Sequence, residues 1–315
     1  MRKLAIGAAR AVGHAALWPL ERALANDAAM ASPPIFIVGP PRSGTSLVYE
    51  ALVTRYRFAF MSNLAHRFYL TPVGASWLGR PAIDRWRGNF TSRYGHIAGW
   101  GAPNEGGWIW RRWLIDGDWQ DESTAEILPL ADMRRTVAGL AHAMNAPFVN
   151  KNVMHANRLR LMNAIWPNAL FIEVRRAPKD NIRSIVRAER KAGGPAPDAG
   201  GWWSVRPSIA PQYVGADDVT RAVAQVLGVR SDIECDGAVI GPARIFRVEH
   251  EQLCLDPRRT LDGIAQWLSD FGVRITERGQ IPERFENRSS APLPAHDEAT
   301  LARAWEEIGR IVENG

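Results

Sequence analysis

A glycine-bounded loop near the beginning of the chain has the residue types of an anion-binding site. It spans residues 39–46 and reads GPPRSGTS. The spacing of its two glycines is that of a Walker A phosphate loop, but Thr45 stands where that motif requires lysine. Backbone amides at the beginning of a helix can bind an anion, and Arg42 supplies a positive charge within the loop. The loop therefore predicts an anion site, and the alternative is a tight turn between a strand and a helix that binds no ligand.

A second motif lies at residues 176–184, where Arg176 ends a run of β-forming residues and Ser184 follows eight residues later in the next predicted helix. Two such side chains can converge on one phosphate group. Taken singly, Arg176 could be a solvated arginine and Ser184 an ordinary helix serine. Their joint spacing beside the first loop favours a shared phosphate site.

The strands and helices that must position these motifs follow from the hydrophobic pattern. Short β-forming runs predict strands at residues 34–39, 147–151, 169–174 and 243–248. Apolar residues at helical spacing predict helices at residues 45–53, 157–166, 178–190, 256–271 and 298–312. This alternation predicts an α/β fold of the P-loop type, with a mostly parallel sheet covered by helices on both faces.

We predict one domain with an insertion and an addition at each end. The α/β domain occupies residues 33–290. Within it, residues from about 60 to 126 are rich in Trp, Gly and Arg and show little regular hydrophobic periodicity, so we predict that they form an insertion that covers the site. Residues 291–315 form a helix that packs on the domain. Residues 1–32 form an amphipathic helical segment that either packs on the domain or makes peripheral contact with a membrane through residues 1–30. Charged residues interrupt this segment too often for a transmembrane helix, and a secretory signal is a weaker alternative.

Composition limits the class of protein. The chain has 315 residues, 46% of them hydrophobic and 23% charged, which excludes disorder, collagen and coiled coil as its main structure. The net charge of +6 favours an anionic partner. Two cysteines, Cys235 and Cys254, provide neither a disulfide framework nor a four-thiolate metal site, so we predict the cytoplasm, with membrane association as an alternative. The scattered histidines lack zinc-site spacing, so we predict no metal.

The two motifs together resemble the sulfotransferase family that uses 3′-phosphoadenosine 5′-phosphosulfate (PAPS), and more closely its bacterial branch with Pro-Arg-Ser-Gly-Thr-Ser/Thr loops. The resemblance rests on residues 41–46 and 176–184 and extends over residues 34–271. Lys151-Asn152 and the VEHEQL sequence at residues 248–253, followed by Asp256-Pro257, support it. It implies PAPS as co-substrate, with no metal required.

The resemblance also implies roles for particular residues. The 5′-phosphosulfate would be bound by the loop residues Arg42, Ser43, Gly44, Thr45 and Ser46. The 3′-phosphate would be bound by Arg176 and Ser184 of the second motif, and Arg288, a late basic residue, would close over it.

Sulfuryl transfer needs cations at fixed positions and a base for the acceptor hydroxyl. Arg42 is the candidate cation for the bridging and leaving oxygen. The resemblance assigns the sulfuryl oxygens to Lys151, for which a plain surface lysine is the alternative. Several relatives carry a glutamate about twenty residues after the loop, but this sequence has Ser-Asn-Leu at residues 62–64. The base is therefore left open between Glu105 and His66. His155 is predicted to be a helix cap or a core residue.

The resemblance implies a PAPS-dependent sulfotransferase that acts on a hydroxyl of a carbohydrate, lipid or small metabolite, with no nucleic-acid partner. One alternative is a P-loop kinase for a nucleotide or small molecule, which would use ATP and magnesium. The other is a non-catalytic anion-binding module, whose sign would be a continuous basic stripe with interleaved aromatics. Trp202 and Trp203 are predicted either as core residues or as a cover for the adenine or the acceptor.

Overall fold

The computed structural model describes residues 2–25, 30–91, 95–115, 119–194 and 202–314. Within these ranges four strands form one parallel sheet: β1 (Ile35–Val38), β2 (Val149–Lys151), β3 (Leu170–Arg175) and β4 (Ile245–Glu249). Their order across the sheet is β2-β1-β3-β4, and every neighbouring pair is parallel. The sequence analysis predicted all four strands and their parallel arrangement.

The α-helices cover the sheet and extend the chain beyond it. They are α1 (Arg2–Leu24), α2 (Thr45–Arg55), α3 (Asn63–Arg67), α4 (Pro72–Leu78), α5 (Arg80–Arg85), α6 (Gly107–Trp110), α7 (Leu130–Met144), α8 (Leu159–Ile165), α9 (Pro178–Ala192), α10 (Asp218–Ile240), α11 (His250–Leu255), α12 (Pro257–Asp270) and α13 (Ala295–Asn314). Short 3₁₀ helices lie at Glu122–Ile127, Val153–Asn157, Ala210–Tyr213 and Pro242–Arg244.

The central strand β1 is buried on both faces, because none of its four side chains is exposed. On one face, Phe36 packs against the rings of Trp110, His155, Trp166 and Phe171 with centroid distances of 5.4 to 6.3 Å. Since successive side chains of a strand point to opposite faces, a fully buried strand requires cover on both. The predicted α/β fold with helices on both faces is confirmed.

A second apolar cluster lies between α9, α10 and α13, away from the strands. Ile182 and Ile185 of α9 meet Val223 of α10 and Leu301 and Ile308 of α13 there, all of them buried. The last helix, expected at residues 298–312, spans Ala295–Asn314 and packs on α10.

The sequence analysis missed α10, a helix of 23 residues. Its hydrophobic pattern is obscured because it buries polar residues as well as apolar ones and leaves Val239 exposed. Gln225 donates to the backbone carbonyls of Trp203 and Val205, and Asp232 accepts from the hydroxyl and amide of Ser208. These hydrogen bonds satisfy side chains that a simple amphipathic pattern would place in solvent.

The long first helix α1 packs on α4 and α7. Its Glu21 is buried and accepts a hydrogen bond of 2.7 Å from the amide of Gly74. Burial raises the pKa of this carboxyl to about 7, since a charge there has little solvation. In the described part of the chain, no helix is long and apolar enough to span a membrane.

Glu21 makes the free energy of unfolding depend on pH. Its folded-state pKa of about 7 exceeds the ordinary value of 4.5, so the folded protein holds a proton that the unfolded chain has released between these pH values. Stability from this group is therefore present at low pH and is lost as pH rises toward about 7. We expect Glu21→Gln to raise the free energy of unfolding at pH 8 by up to about 3 kcal/mol, and by less at pH 5.

Urea unfolding of both proteins at the two pH values measures this difference. The matched control is Glu283→Gln, which alters an exposed glutamate and should leave the pH dependence as it is. An equal effect of Glu21→Gln at pH 5 and pH 8 would contradict the expectation.

Candidate active site

A cavity of about 510 Å³ opens at the carboxyl ends of the strands. Each strand places one contributor there: the loop after β1, Lys151 at the end of β2, Arg176 after β3 and His250 after β4. The carboxyl edge of a parallel sheet is where α/β proteins bind their ligands. The cavity is lined by Pro41, Arg42, Gly44, Thr45, Ser46, Leu47, Phe90, Gly95, Glu105, Lys151, Val153, Arg176, Trp203, Ser204, His250, Arg284, Phe285, Glu286 and Arg288.

The loop between β1 and α2 has a backbone that depends on glycine. Gly44 has a φ of 100° and directly precedes α2, so the loop's amides lie at a helix N-terminus. Gly39 has a φ of 147°, and a Cβ there would lie 2.5 Å from the carbonyl oxygen of Val174. The close approach of the loop to β3 therefore requires a residue without a side chain.

Three hydrogen bonds hold this loop against the beginning of α9. Asn181 donates to the carbonyl of Pro41 at 2.6 Å, and Arg176 donates to the carbonyl of Arg42 at 3.3 Å. The Nε of Arg42 donates to the hydroxyl of Ser184 at 3.2 Å. The structure thus brings Arg42, Arg176 and Ser184 together, as the spacing of the two sequence motifs predicted.

Three buried polar atoms in or beside the loop lack a hydrogen-bond partner among the described residues. They are Ser43 Oγ, Arg176 Nε and His250 Nδ1. Leaving such atoms unsatisfied costs about 1 to 3 kcal/mol each. Ser43 Oγ and Arg176 Nε carry donor hydrogens, and His250 Nδ1 carries one in one of its tautomers, so all three could donate to an anion.

His250 is a site residue that the sequence analysis did not identify. Its ring is packed so closely on the loop that a Cβ on Gly44 would lie 2.3 Å from Nδ1. Burial, and then the nearby charge of Arg176, lower the pKa of this imidazole below its ordinary value. The available signal was position, because His250 follows β4 directly at the sheet edge where the other site residues lie.

The opposite side of the cavity holds an ion pair between Lys151 and Glu105. A methyl group placed on Gly95 would lie 2.9 Å from Glu105 Oε1, 3.5 Å from Ser46 Oγ and 3.7 Å from Lys151 Nζ. These three groups therefore surround one small region. Lys151 is buried, unlike the plain surface lysine that was its alternative.

The other predicted residues divide between the cavity and the core. Arg288 lines the cavity, and its carbonyl oxygen accepts a hydrogen bond from Arg176. Trp203 lines the cavity, whereas Trp202 belongs to the buried cluster beside α9 and α10. Arg284 also lines the cavity and was missed, because nothing in the sequence separates it from other late arginines.

Two histidines lie outside the cavity lining. His66 is on α3 and is not among the side chains that line the cavity, so the structure does not bring it to Glu105 and Lys151. His155 is fully buried between Phe36 and Trp110, with ring centroids 5.4 and 4.7 Å away. Burial lowers its pKa well below the ordinary value, as expected for a core histidine, which is one of the two roles predicted for it.

The described residues contain no group of three or more His, Cys, Asp or Glu side chains arranged to hold a metal ion. Glu173, near the end of β3, forms ion pairs with two arginines. Its carboxylate oxygens lie 2.7 Å from Arg175 Nε and 3.1 Å from Arg247 Nε.

Comparison with known protein families identifies the family of this chain. Residues 33–270, which are more than half of the chain, match the model of the sulfotransferase family. The chain belongs to the sulfotransferase family. The resemblance drawn from the two sequence motifs is confirmed, and the protein is a transferase of this family.

Relatives of this sulfotransferase are found in mycobacteria. The chain is 21% identical over 310 residues to the omega-hydroxy-beta-dihydromenaquinone-9 sulfotransferase Stf3 of Mycobacterium bovis, covering 90% of this chain and 75% of the relative. Among solved structures, it is similar to sulfotransferase STF1 of Mycobacterium tuberculosis, with a TM-score of 0.51, 16% identity and coverage of 83% and 72% of the two chains. It is also similar to sulfotransferase STF9 of Mycobacterium avium, with a TM-score of 0.50, 17% identity and coverage of 89% of this chain and 69% of that chain. These two structures share the fold with this sulfotransferase.

The packing of His250 on Gly44 predicts how this sulfotransferase responds to a methyl group in its loop. We expect Gly44→Ala to weaken binding of inorganic pyrophosphate at least about tenfold, because a Cβ would collide with His250 and the loop would have to move. Calorimetric titration measures the affinity.

Gly272→Ala is the matched control. Gly272 also has a positive φ, of 74°, but no atom lies within 4 Å of its Cβ position. Both variants carry backbone strain of roughly 1 to 2 kcal/mol. Equal loss of pyrophosphate affinity in both would mean that strain, and not the loop's contact with His250, is responsible.

Proposed function

We propose that this sulfotransferase transfers a sulfuryl group from PAPS to a hydroxyl group of a small carbohydrate, lipid or metabolite acceptor. The observation that carries the proposal is the convergence, in one cavity, of the Arg42 loop, Arg176 and the Lys151–Glu105 pair. An adenosine 3′,5′-bisphosphate group has two separated anionic ends. The loop with its helix N-terminus and the cluster around Arg176 give the cavity two places for them.

The residues present fit such a ligand. Ser43, Thr45 and Ser46 with the amides of the loop would hold the 5′-phosphosulfate, while Arg176 and Ser184 would hold the 3′-phosphate. Arg176 Nε and Ser43 Oγ are buried without a partner in the described structure, and a phosphate oxygen would satisfy each of them. Arg42 reaches Ser184 through its Nε, so its guanidinium can contact an anion at either end. Arg288 lines the same cavity and would cover the 3′-phosphate.

The reaction exchanges one sulfur–oxygen bond for another. The bond from sulfur to the bisphosphate oxygen breaks, a bond from sulfur to the acceptor oxygen forms, and the acceptor hydroxyl loses its proton. Lys151 would stabilise negative charge on the sulfuryl oxygens, and Arg42 the charge on the leaving oxygen. Glu105 would accept the proton, since its carboxylate lies beside both Lys151 and Ser46 in the cavity. His66 lies outside the lining and is the weaker candidate.

The remaining walls of the cavity favour an acceptor with apolar surface. Leu47, Phe90, Val153, Trp203 and Phe285 line it, and the rings of Phe90 and Phe285 lie 4.9 Å apart. The mycobacterial relative named above is a sulfotransferase for a hydroxylated dihydromenaquinone. A lipid or aromatic alcohol is therefore the acceptor class that the site supports best within this proposal.

Binding of adenosine 3′,5′-bisphosphate, measured by calorimetry without metal, tests the donor assignment. We expect Arg176→Ala to weaken the affinity by about 10- to 100-fold, because one charged donor to the 3′-phosphate is lost. Ser184→Ala should weaken it less. Lys179→Ala is the matched control. Lys179 is exposed and follows Arg176 by three residues, so this variant also removes a positive charge but should leave the affinity unchanged.

Parallel titrations with ATP plus magnesium separate the alternatives. A preference for ATP with magnesium would overturn the proposal in favour of a kinase. Binding of neither nucleotide would favour a non-catalytic module.

The identity of the base is tested by turnover with PAPS and an aromatic alcohol. We expect Glu105→Gln to lower kcat by about 10²- to 10⁴-fold, the usual contribution of general base catalysis, with bisphosphate affinity retained. His66→Gln should leave kcat unchanged because His66 does not line the cavity. Loss of turnover in His66→Gln with normal turnover in Glu105→Gln would reverse the assignment.

A further inference from the structure

An exposed apolar surface lies on α1 and on the helices that pack beside it. Trp18 is 52% exposed, Leu70 40% and Trp108 50%. Large apolar side chains that are exposed singly are ordinary, whereas a contiguous group indicates an interaction site. The contacts of these three residues decide which of the two applies.

They form one continuous strip with His14 and Tyr69, which we name the aromatic strip. The His14 ring lies 5.5 Å from that of Tyr69, and the Tyr69 ring lies 6.1 Å from that of Trp108. Trp18 follows His14 by one helical turn on α1 and therefore shares its face. Leu70 directly follows Tyr69. The strip thus connects α1, the segment between α3 and α4, and α6.

Further apolar side chains are exposed on neighbouring elements. Trp77 and Leu78 lie on α4, which packs on both α1 and α3, and Trp100 accepts a hydrogen bond from Leu64 of α3 through its backbone carbonyl. All three are exposed. The apolar area is therefore larger than the strip itself.

The segments that carry the strip contain more basic than acidic residues, and Arg112 is paired with Asp132 of α7 at 3.1 Å. The sequences of α1, of residues 60–78 and of residues 106–115 contain one acidic residue, Glu21, and it is buried under α4. The guanidinium of Arg111 lies 5.4 Å from the centre of the Trp108 ring. The basic residues of these segments are Arg2, Lys3, Arg10, Arg22, Arg67, Arg111 and Arg112.

We propose that the aromatic strip docks this protein on an anionic phospholipid bilayer. Tryptophan and tyrosine prefer the boundary between headgroups and acyl chains, and each basic residue close to an anionic surface adds attraction. A second copy of the chain fits less well, because two strips with positive surroundings repel each other. The inference rests on this surface alone and does not depend on the proposed donor or acceptor.

Docking would also orient the site. Glu105 lies two residues before α6, and Trp108 is within α6, so the candidate base and the strip are joined by one short segment. The side of the cavity that holds Glu105 is therefore close to the docked face.

Flotation with lipid vesicles tests the proposal. One set contains phosphatidylcholine alone and the other equal parts of phosphatidylcholine and phosphatidylglycerol. We expect the protein to float with the anionic vesicles, to float less as salt is raised, and to remain unbound with the neutral ones. Trp18→Ser should weaken partition by about tenfold, as expected when one large apolar side chain no longer enters the interface. Arg22→Glu should weaken it at low salt, since it reverses an exposed charge on α1.

The control is Leu255→Ser, which removes an exposed apolar side chain on α11, away from the strip, and should leave partition unchanged. Thermal melting checks that each variant is folded, and Arg22→Glu keeps the test decisive if Trp18→Ser unfolds. The proposal would be overturned if the protein does not float with anionic vesicles. It would also be overturned if Arg22→Glu and Trp18→Ser both float as well as the unaltered protein. A dimer in sedimentation velocity that Trp18→Ser abolishes would assign the strip to a second copy instead.

Discussion

The hydrogen bonds between the first loop and the beginning of α9 are the interaction on which the site depends. Asn181 and Arg176 both donate to carbonyl oxygens of the loop, and Arg42 donates back to Ser184. They join two segments that are more than 130 residues apart in sequence, because β1 and β3 are neighbours in the sheet. Any displacement of α9 therefore moves the loop and changes the geometry of Arg42 and Arg176 together.

Charge in this cavity is positioned before a ligand arrives. Arg176 is buried, its guanidinium is bound on two sides by backbone carbonyls, and its Nε has no partner within the described structure. Such a side chain loses little conformational freedom on binding an anion, and its electrostatic effect is greater than in water. On the other side, Glu105 fixes the ammonium group of Lys151. The sheet edge thus holds cations at two separate points, Arg176 and Lys151, and Lys151 is paired with the carboxylate of Glu105.

Helices α1 and α4 contribute both to packing and to the exposed surface. Glu21 holds α1 against α4 through the amide of Gly74, and burial raises its pKa to about 7. The same helix presents Trp18 to solvent, so the stability of its packing determines how firmly the aromatic strip is held. α6 then connects this outer surface to Glu105 in the cavity.

The amino-acid sequence alone determined the strands, the anion loop and the second motif, because each depends on local features: short β-forming runs, glycine spacing and the position of Arg176 and Ser184 relative to a strand end. It also identified Lys151 and Glu105 as candidates, but local pattern could not show that they form an ion pair, since they lie 46 residues apart. Only the tertiary structure placed Glu105 in the cavity lining, from which His66 is absent, and brought His250 onto Gly44. It alone revealed α10, whose buried Gln225 and Asp232 hide the helical period. Such features arise where distant segments pack, and packing replaces the solvent that sequence patterns reflect.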